Sequence, residues 1–336
     1  MTLRPPLPPQ LPVYRHPSTV VIVDDSPSFL ASLRFQLDER MPGKTFADAC
    51  GAIAWLRARA RGAEPGRFLS PTIDTFSAQP LNVALHVERI CAIAARPQRF
   101  AEPSVLVADY AMPGMNGVQL CQAVRDLPCK TILLTGTADE RIAIDAFNRG
   151  LIDRYIRKSD HDALERLDAD LATLQHAWFL EQAAPLRSLL PLHGYGFIDD
   201  PAIAALAARE AADRHCVEHY LFHDPAGLLM ADRDGRRWLL VIETEQTMRA
   251  HLEMARDDGA PSALLAALEA RVVIPNFTDG DGMYSARFGK DWYRHTAPAR
   301  VCEGHQRYYW AVFDLRPDFP PGRVTPFAGF LAGDGA

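Results

Sequence analysis

Short apolar runs alternate with helical segments over the first 165 residues, and this alternation limits the fold of that part of the chain. The clearest run is Thr19–Val23, which is continuous and rich in β-branched residues. A run of this kind predicts a strand that is buried on both faces. Similar short runs, each separated from the next by a stretch with helical spacing, cover residues 44–47, 105–108, 131–134 and 154–156. Strands that alternate with helices predict an α/β fold with a doubly wound parallel sheet.

Charged or hydroxylic residues stand within two positions of the end of four of these runs, and ligands bind at the carboxyl ends of strands in such sheets. Three neighbouring carboxylates repel one another, but a divalent cation with a preference for hard oxygen ligands, such as Mg²⁺, relieves the repulsion. The same ion can neutralise an incoming phosphoryl group. An Asp carboxylate can then attack the phosphorus of that group, while Lys and Thr side chains bind its oxygens. The residues concerned are Asp24, Asp25, Asp109, Thr135 and Lys158.

In this order, these residues resemble the receiver domain of two-component response regulators, from residue 19 to about residue 165. The resemblance is carried by Val-Ile-Val-Asp24-Asp25-Ser, Leu-Val-Ala-Asp109-Tyr-Ala-Met-Pro-Gly-Met-Asn-Gly117, Leu-Leu-Thr135-Gly and Tyr155-Ile-Arg-Lys158. It implies a five-stranded, flavodoxin-like domain. It also implies that Asp109 is the phosphoacceptor, and that Asp24, Asp25, Asp109 and the backbone carbonyl of Ala111 hold Mg²⁺.

The resemblance also assigns roles around the phosphoryl group. Thr135 and Lys158 would contact it, and Tyr155 stands where the family keeps its switch aromatic. The phosphoryl donor would be a phosphohistidine on a sensor histidine kinase. The positions that steer water onto the acyl phosphate are Ala111 and Thr137, which carry no carboxylate or amide, so we expect a phosphoryl group that is not unusually short-lived.

One departure from the family is the spacing of 84 positions between Asp25 and Asp109, which is long for a receiver. The excess lies in residues 62–100. It predicts an ordered extra helix on the domain, a partner-binding lobe or a tolerated surface insertion. Residues 81–96 are the predicted helix.

The predicted organisation has four parts, which are a flexible Pro-rich arm, a receiver domain, a linker helix and an output domain. Their boundaries are 1–18, 19–160, 161–184 and 186–336. Apolar residues in the linker are spaced three and four apart, which is typical of a seam between two packed helices. The seam would form a homodimer together with a face of the receiver, or would pack on the output domain. The seam residues are Leu164, Leu167, Leu171, Leu174 and Trp178.

The output domain is predicted to be mixed α+β. A helix is expected from Ile203 to about Tyr220, and a hairpin is expected over 227–242 around an Asp-Gly turn. From Leu186 onward, 16 Lys and Arg stand against 21 Asp and Glu, a net charge of −5, which disfavours nucleic-acid binding. The sequence contains no motif that identifies this half as an enzyme.

One cluster in the output domain suggests a metal. His215, His219 and His223 recur every four residues on the predicted helix. Cys216 and His219 also have a counterpart in Cys302 and His305, and two such pairs could make a zinc site. The alternative interpretation is partly exposed histidines and buried thiols.

Composition restricts the setting. The chain of 336 residues has a net charge of −6, and it contains no apolar stretch long enough to predict a membrane span. The six cysteines are scattered, which favours a reducing, cytoplasmic location. We therefore expect a response regulator whose output changes protein or small-ligand binding, and regulators with such outputs occur in quorum sensing. A receiver-controlled enzyme acting on a nucleotide or signalling molecule and a DNA-binding regulator of another fold are the alternatives.

Overall fold

The computed structural model describes residues 10–36, 41–60, 68–72, 82–136, 140–277, 282–316 and 324–332. The strands are β1 (Tyr14–Arg15), β2 (Thr19–Val23), β3 (Gly43–Phe46), β4 (Leu69–Thr72), β5 (Asn82–Leu85), β6 (Pro103–Asp109), β7 (Lys130–Thr135), β8 (Arg154–Arg157), β9 (Cys216–Phe222), β10 (Gly227–Asp232), β11 (Arg237–Thr244), β12 (Val273–Pro275), β13 (Thr296–Pro298), β14 (Arg300–Glu303) and β15 (Arg307–Asp314). The helices are α1 (Pro27–Gln36), α2 (Ala49–Ala60), α3 (Val87–Cys91), α4 (Gly117–Ala123), α5 (Glu140–Asn148), α6 (Ala163–Arg187), α7 (Pro201–Asp213), α8 (Glu245–Asp257), α9 (Ser262–Glu269) and α10 (Phe327–Ala332). Short 3₁₀ helices cover Ala92–Ala95, Pro97–Ala101, Leu190–His193, Gly196–Asp199 and Ala286–His295.

The chain forms two compact units, and each unit is built from separate chain segments. We call them the parallel unit and the antiparallel unit, after their main sheets. The described residues of the parallel unit are 15–36, 41–60, 96–136, 140–183 and 327–332. Those of the antiparallel unit are 10–14, 68–72, 82–95, 184–277, 282–316 and 324–326.

The parallel unit contains a five-stranded sheet in the order β3-β2-β6-β7-β8, in which all neighbours are parallel. One face of the sheet packs against α1 and α6, and the other packs against α2, α4 and α5. Strands covered on both faces must be apolar along their whole length, and β2 is buried at every position. The predicted doubly wound receiver fold is confirmed.

Helix α6 corrects the expectation for the linker. Leu167, Leu171 and Leu174 are buried in the core that α6 shares with the parallel sheet. Trp178 is also buried, and its indole N–H donates to the carbonyl of Pro128. The apolar seam therefore packs on the receiver's own sheet, because that sheet needs a helix on this face. These residues are not available for a dimer seam, and only Leu164 is substantially exposed.

The antiparallel unit contains a six-stranded sheet in the order β1-β9-β10-β11-β15-β14. The predicted hairpin is present as β10 and β11, and with α7, α8 and α9 the unit is mixed α+β as expected. The long helix predicted from Ile203 is wrong beyond Asp213. Helix α7 ends there, His215 has a left-handed backbone with φ 54°, and the following residues form strand β9. The β-branched and aromatic residues of this strand fit a half-buried sheet better than a helix.

The insertion contributes to both units. Its segment 82–95 forms β5, α3 and a 3₁₀ turn in the antiparallel unit, where α3 packs on β9. The single helix expected over 81–96 is therefore wrong. Residues 97–101 return to the parallel unit, where Thr19 Oγ1 donates to the carbonyl of Phe100.

Over its described residues, 10–18, the predicted flexible arm is part of the folded structure. Leu11, Val13 and Tyr14 are buried, and the N–H of Leu221 in β9 donates to the carbonyl of Val13. The chain before β2 thus adds the edge strand β1 to the antiparallel sheet. Across the described ranges, no helix has the length and apolar character needed to cross a bilayer.

Candidate functional site

Four adjacent strands of the parallel sheet bring the predicted site residues to one edge. Asp24 follows β2, Asp109 ends β6, Thr135 ends β7 and Lys158 follows β8. Because β2, β6, β7 and β8 are neighbours and parallel, their carboxyl ends lie side by side. The predicted convergence of these residues is therefore what the fold produces.

The ammonium of Lys158 lies between two buried carboxylates. Its Nζ is 2.6 Å from Oδ2 of Asp24 and 2.8 Å from Oδ1 of Asp109. Carboxylate oxygens of Asp24, Asp25 and Asp109 all lie within 4.8 Å of one another. Asp24 and Asp109 are buried, whereas Asp25 is exposed at the mouth of the site. Within the described ranges, this is the only group of three or more acidic, His or Cys side chains close enough to share a metal.

Asp109 and Lys158 each affect the pKa of the other, and both pKa values are raised. Burial raises the pKa of Asp109, and the negative charges of Asp24 and Asp25 add to this, although the hydrogen bond from Lys158 opposes them. For Lys158, burial disfavours the ammonium, but hydrogen bonds to Asp109 and Asp24 outweigh it, so its pKa is raised. The lysine therefore stays charged and partly neutralises an excess of negative charge.

The donor set fits Mg²⁺. Three carboxylates supply hard oxygen atoms, and the exposed position of Asp25 leaves room for the waters that Mg²⁺ retains. Ala111, whose backbone carbonyl is the fourth expected ligand, is exposed two residues beyond Asp109. Burial is the main cause of the raised pKa of Asp109, and a cation here would offset the smaller part that comes from the charges of Asp24 and Asp25.

The loop after Asp109 is tightly constrained at Gly117. A Cβ atom at this position would lie 2.4 Å from the backbone oxygen of Asp109, so only glycine fits without a shift. The N–H of Gly117 donates to the carbonyl of Tyr110 at 3.2 Å. Asn116 and Gln119 then form a reciprocal capping box at the start of α4. This loop returns the chain to the sheet and fixes the backbone around Asp109.

The two expected switch residues occupy adjacent strands. Thr135 is buried at the end of β7, and its carbonyl accepts the N–H of Lys158 at 2.9 Å. Tyr155 lies in β8 opposite Leu133 and is half-buried against the core on the α5 side. Thr137, one of the two positions expected to steer water, lies outside the described residues.

The predicted zinc site in the other unit is wrong. Cys216 and His219 lie on β9, Cys302 lies on β14 and His305 follows β14, and three strands separate β9 from β14. Burial raises the pKa of Cys216 to about 12, which disfavours the thiolate that zinc requires. His219 lies instead 3.0 Å from the carbonyl of Pro12.

The chain resembles solved structures, although no family model or curated sequence matches it. The Legionella pneumophila response regulator LqsR matches 96% of this chain and 95% of its own length, with a TM-score of 0.76 and 29% sequence identity. The chain is a response regulator. Because the match extends over both units, it includes the output part as well as the receiver.

Isolated receiver domains match about half of the response regulator. A signal receiver domain of a putative Luxo repressor protein from Vibrio parahaemolyticus is 16% identical, with a TM-score of 0.35, and covers 50% of this chain and 97% of its own. A response regulator receiver domain protein from Clostridium thermocellum is 16% identical, with a TM-score of 0.31, and covers 50% of this chain and 98% of its own.

Sequence reasoning missed one residue at the site. The Nζ of Lys158 lies 4.4 Å from the ring centre of Phe29, in the first turn of α1. Phe29 is one of several apolar residues at helical spacing in α1, so the pattern predicts only that it packs on the core. Nothing in its spacing indicates a contact with a residue 129 positions later.

Proposed function

We propose that this response regulator acts in the cytoplasm and is phosphorylated on Asp109 by a sensor histidine kinase. The proposal rests above all on the position of Asp109, which is buried at the end of β6 with a lysine ammonium 2.8 Å away. Asp24, Asp25, Asp109 and the carbonyl of Ala111 are the proposed Mg²⁺ ligands, and the grouped carboxylate oxygens support this assignment.

In the proposed reaction, a carboxylate oxygen of Asp109 attacks the phosphorus of a phosphohistidine. The new oxygen–phosphorus bond forms an acyl phosphate, while the phosphorus–nitrogen bond breaks and its electron pair stays on the imidazole. Mg²⁺, when bound, neutralises charge on the carboxylates and the phosphoryl oxygens. The ammonium of Lys158 then moves from the Asp109 oxygen to a phosphoryl oxygen, and the Thr135 hydroxyl donates a hydrogen bond to another.

The proposed switch begins at Thr135 and Tyr155 and changes the face formed by α5, β8 and α6. Ile142, Ile144 and Phe147 on α5 are each 40–44% exposed, which is high for large apolar side chains. A face of this kind suits a second copy or another protein. We propose that phosphorylation changes binding at this face, which biases an equilibrium between two states.

For the output, we propose control of protein or small-ligand binding in quorum-sensing signalling. The net charge of −5 from Leu186 onward gives this half no basic excess for nucleic acid. The likeness to LqsR extends over both units of this chain and not over a receiver alone, which supports an output that works together with its receiver.

Phosphorylation tests the proposal directly. The purified chain is incubated with acetyl phosphate and Mg²⁺, or with its kinase, and its intact mass is measured. We expect the mass of one phosphoryl group in the wild type and in the surface control Asp145→Asn, and none in Asp109→Asn or after Mg²⁺ is chelated. Equal labelling of the wild type and Asp109→Asn would refute the assignment of Asp109.

A further inference from the structure

The cation–π contact between Lys158 and Phe29 points to a role for this aromatic ring. We propose that Phe29 is a positioning residue that holds the Lys158 ammonium at the phosphorylation site, an inference that rests on the proposed function. The two groups are 4.4 Å apart, within the range in which a ring face attracts a cation.

The backbone fixes the ring through a short series of hydrogen bonds. Oδ1 of Asp24 accepts the N–H of Ser26 at 2.9 Å, and Oγ of Ser26 accepts the N–H of Phe29 at 3.3 Å. Lys158 connects the two ends of this series, since its Nζ contacts both the ring of Phe29 and Oδ2 of Asp24. One carboxylate, Asp24, therefore places both the start of α1 and the ammonium.

Lys158 needs such support because its side chain is long and partly solvated. The side chain is 27% exposed, so water competes with the two carboxylates for the ammonium. The lysine side chain has a flexible stem of four carbon atoms, and holding that stem in one conformation costs rotamer entropy. The ring of Phe29 is half-buried against the core that contains Leu30 and Leu33, so it presents a fixed surface to the cation.

The role becomes important when Asp109 is phosphorylated. At that point the ammonium must exchange a carboxylate oxygen for a phosphoryl oxygen, and during the exchange it loses one of its two anionic partners. The cation–π contact between Lys158 and Phe29 can persist during this exchange, because it does not involve Asp109. We therefore expect the ring to keep Lys158 in the site while the acyl phosphate forms.

The experiment compares rings with apolar chains of similar size in the full-length protein. Phosphorylation by acetyl phosphate with Mg²⁺ is timed for the wild type, Phe29→Leu, Phe29→Met and Phe29→Tyr. We expect the Leu and Met variants to be about three- to tenfold slower, and the Tyr variant to keep the wild-type rate because its ring also attracts a cation. Phe46→Leu is the matched control, since its half-buried ring packs against Trp55.

A second readout needs neither Mg²⁺ nor phosphate. In the NMR spectrum of lysine-labelled protein, the ring current of Phe29 shifts the ε-methylene protons of Lys158, whose signal is identified by its loss in Lys158→Arg. We expect this shift to disappear in Phe29→Leu and to persist in Phe29→Tyr.

The outcomes separate the positioning role from the proposed function. If the wild type is never phosphorylated, the proposed function fails, while the NMR shift still reports whether the contact exists. If the wild type is phosphorylated and all three Phe29 variants match its rate, the positioning role is refuted. Equal slowing of the Leu, Met and Tyr variants, in step with a lower thermal midpoint, would show that Phe29 only packs on the core and would also refute it.

Discussion

Replacing Lys158 with Ala removes the only cation in contact with two buried carboxylates among the described residues of the site. In the wild type, its ammonium lies 2.6 Å from Asp24 and 2.8 Å from Asp109, and these carboxylates are 1% and 5% exposed. Removing one member of a buried ion pair costs about 3–5 kcal/mol. Because the Lys158 side chain is 27% exposed, solvent already screens part of this interaction, and we expect a loss of about 2–3 kcal/mol in the free energy of unfolding of the parallel unit.

Two conditions should reduce that loss. Mg²⁺ supplies the missing positive charge, so it should stabilise Lys158→Ala more than it stabilises the wild type. Acid should act in the same direction. The pKa of Asp109 is raised in the folded protein, so its contribution to stability is present below the unfolded pKa and is lost as the pH rises through the folded pKa. Without the ammonium this pKa rises further, and the deficit should be largest near neutral pH.

Hydrogen exchange of the β6 peptide measures opening of the parallel sheet, with and without Mg²⁺, from about pH 5 to about pH 8. Lys130→Ala is the control, because the two carboxylates that pair with Lys130, those of Glu181 and Asp153, are 60% and 33% exposed, and it should cost no more than about 1 kcal/mol. The reasoning fails if the two variants lose equal stability, or if Mg²⁺ stabilises Lys158→Ala no more than the wild type.

Three further predictions concern single positions. Gly117→Ala should lose about 1–3 kcal/mol in thermal unfolding because its Cβ would lie 2.4 Å from the phosphoacceptor's backbone oxygen, whereas Gly43→Ala, with open space around it, should lose far less. Ala111→Asn should shorten the lifetime of the phosphorylated form about tenfold or more by orienting water, as measured by loss of phosphoryl mass over time, and an unchanged lifetime would contradict this. Alkylation near pH 8 should label the exposed Cys50 before Cys216, whose pKa is raised to about 12 by burial, and peptide mass spectrometry would reveal the opposite order.

The receiver and its site were predictable because local pattern and function coincide there. A continuous apolar run such as Thr19–Val23 is interpretable as a buried strand, and the residue after it must lie at the carboxyl edge of the sheet. Asp24, Asp109 and Lys158 could therefore be placed together without knowledge of the packing. Phe29 could not, because its contact depends on the angle at which α1 leaves the sheet.

The errors lie where local pattern is ambiguous or where the partner is distant in sequence. The segment 216–222 carries Cys, Val, His and Tyr, whose helix propensities are similar, so local pattern does not exclude a helix there. The left-handed backbone of His215, which separates α7 from β9, is not evident from the sequence. The periodicity of α6 correctly predicts an apolar seam, but it does not identify which surface covers that seam. The sequence pattern also does not indicate which unit residues 82–95 belong to, because only the long-range packing of α3 on β9 assigns them to the antiparallel unit.

The chain segments that complete each unit have a consequence for how this protein can be dissected or can evolve. The antiparallel unit takes its edge strand from the residues before β2 and its α3 helix from the insertion, while the parallel unit takes α10 from the far end of the chain, where Phe327 packs on Phe100. A fragment cut at α6 would leave both halves with exposed apolar surface. Such an output therefore cannot be moved onto another receiver as one contiguous block of gene.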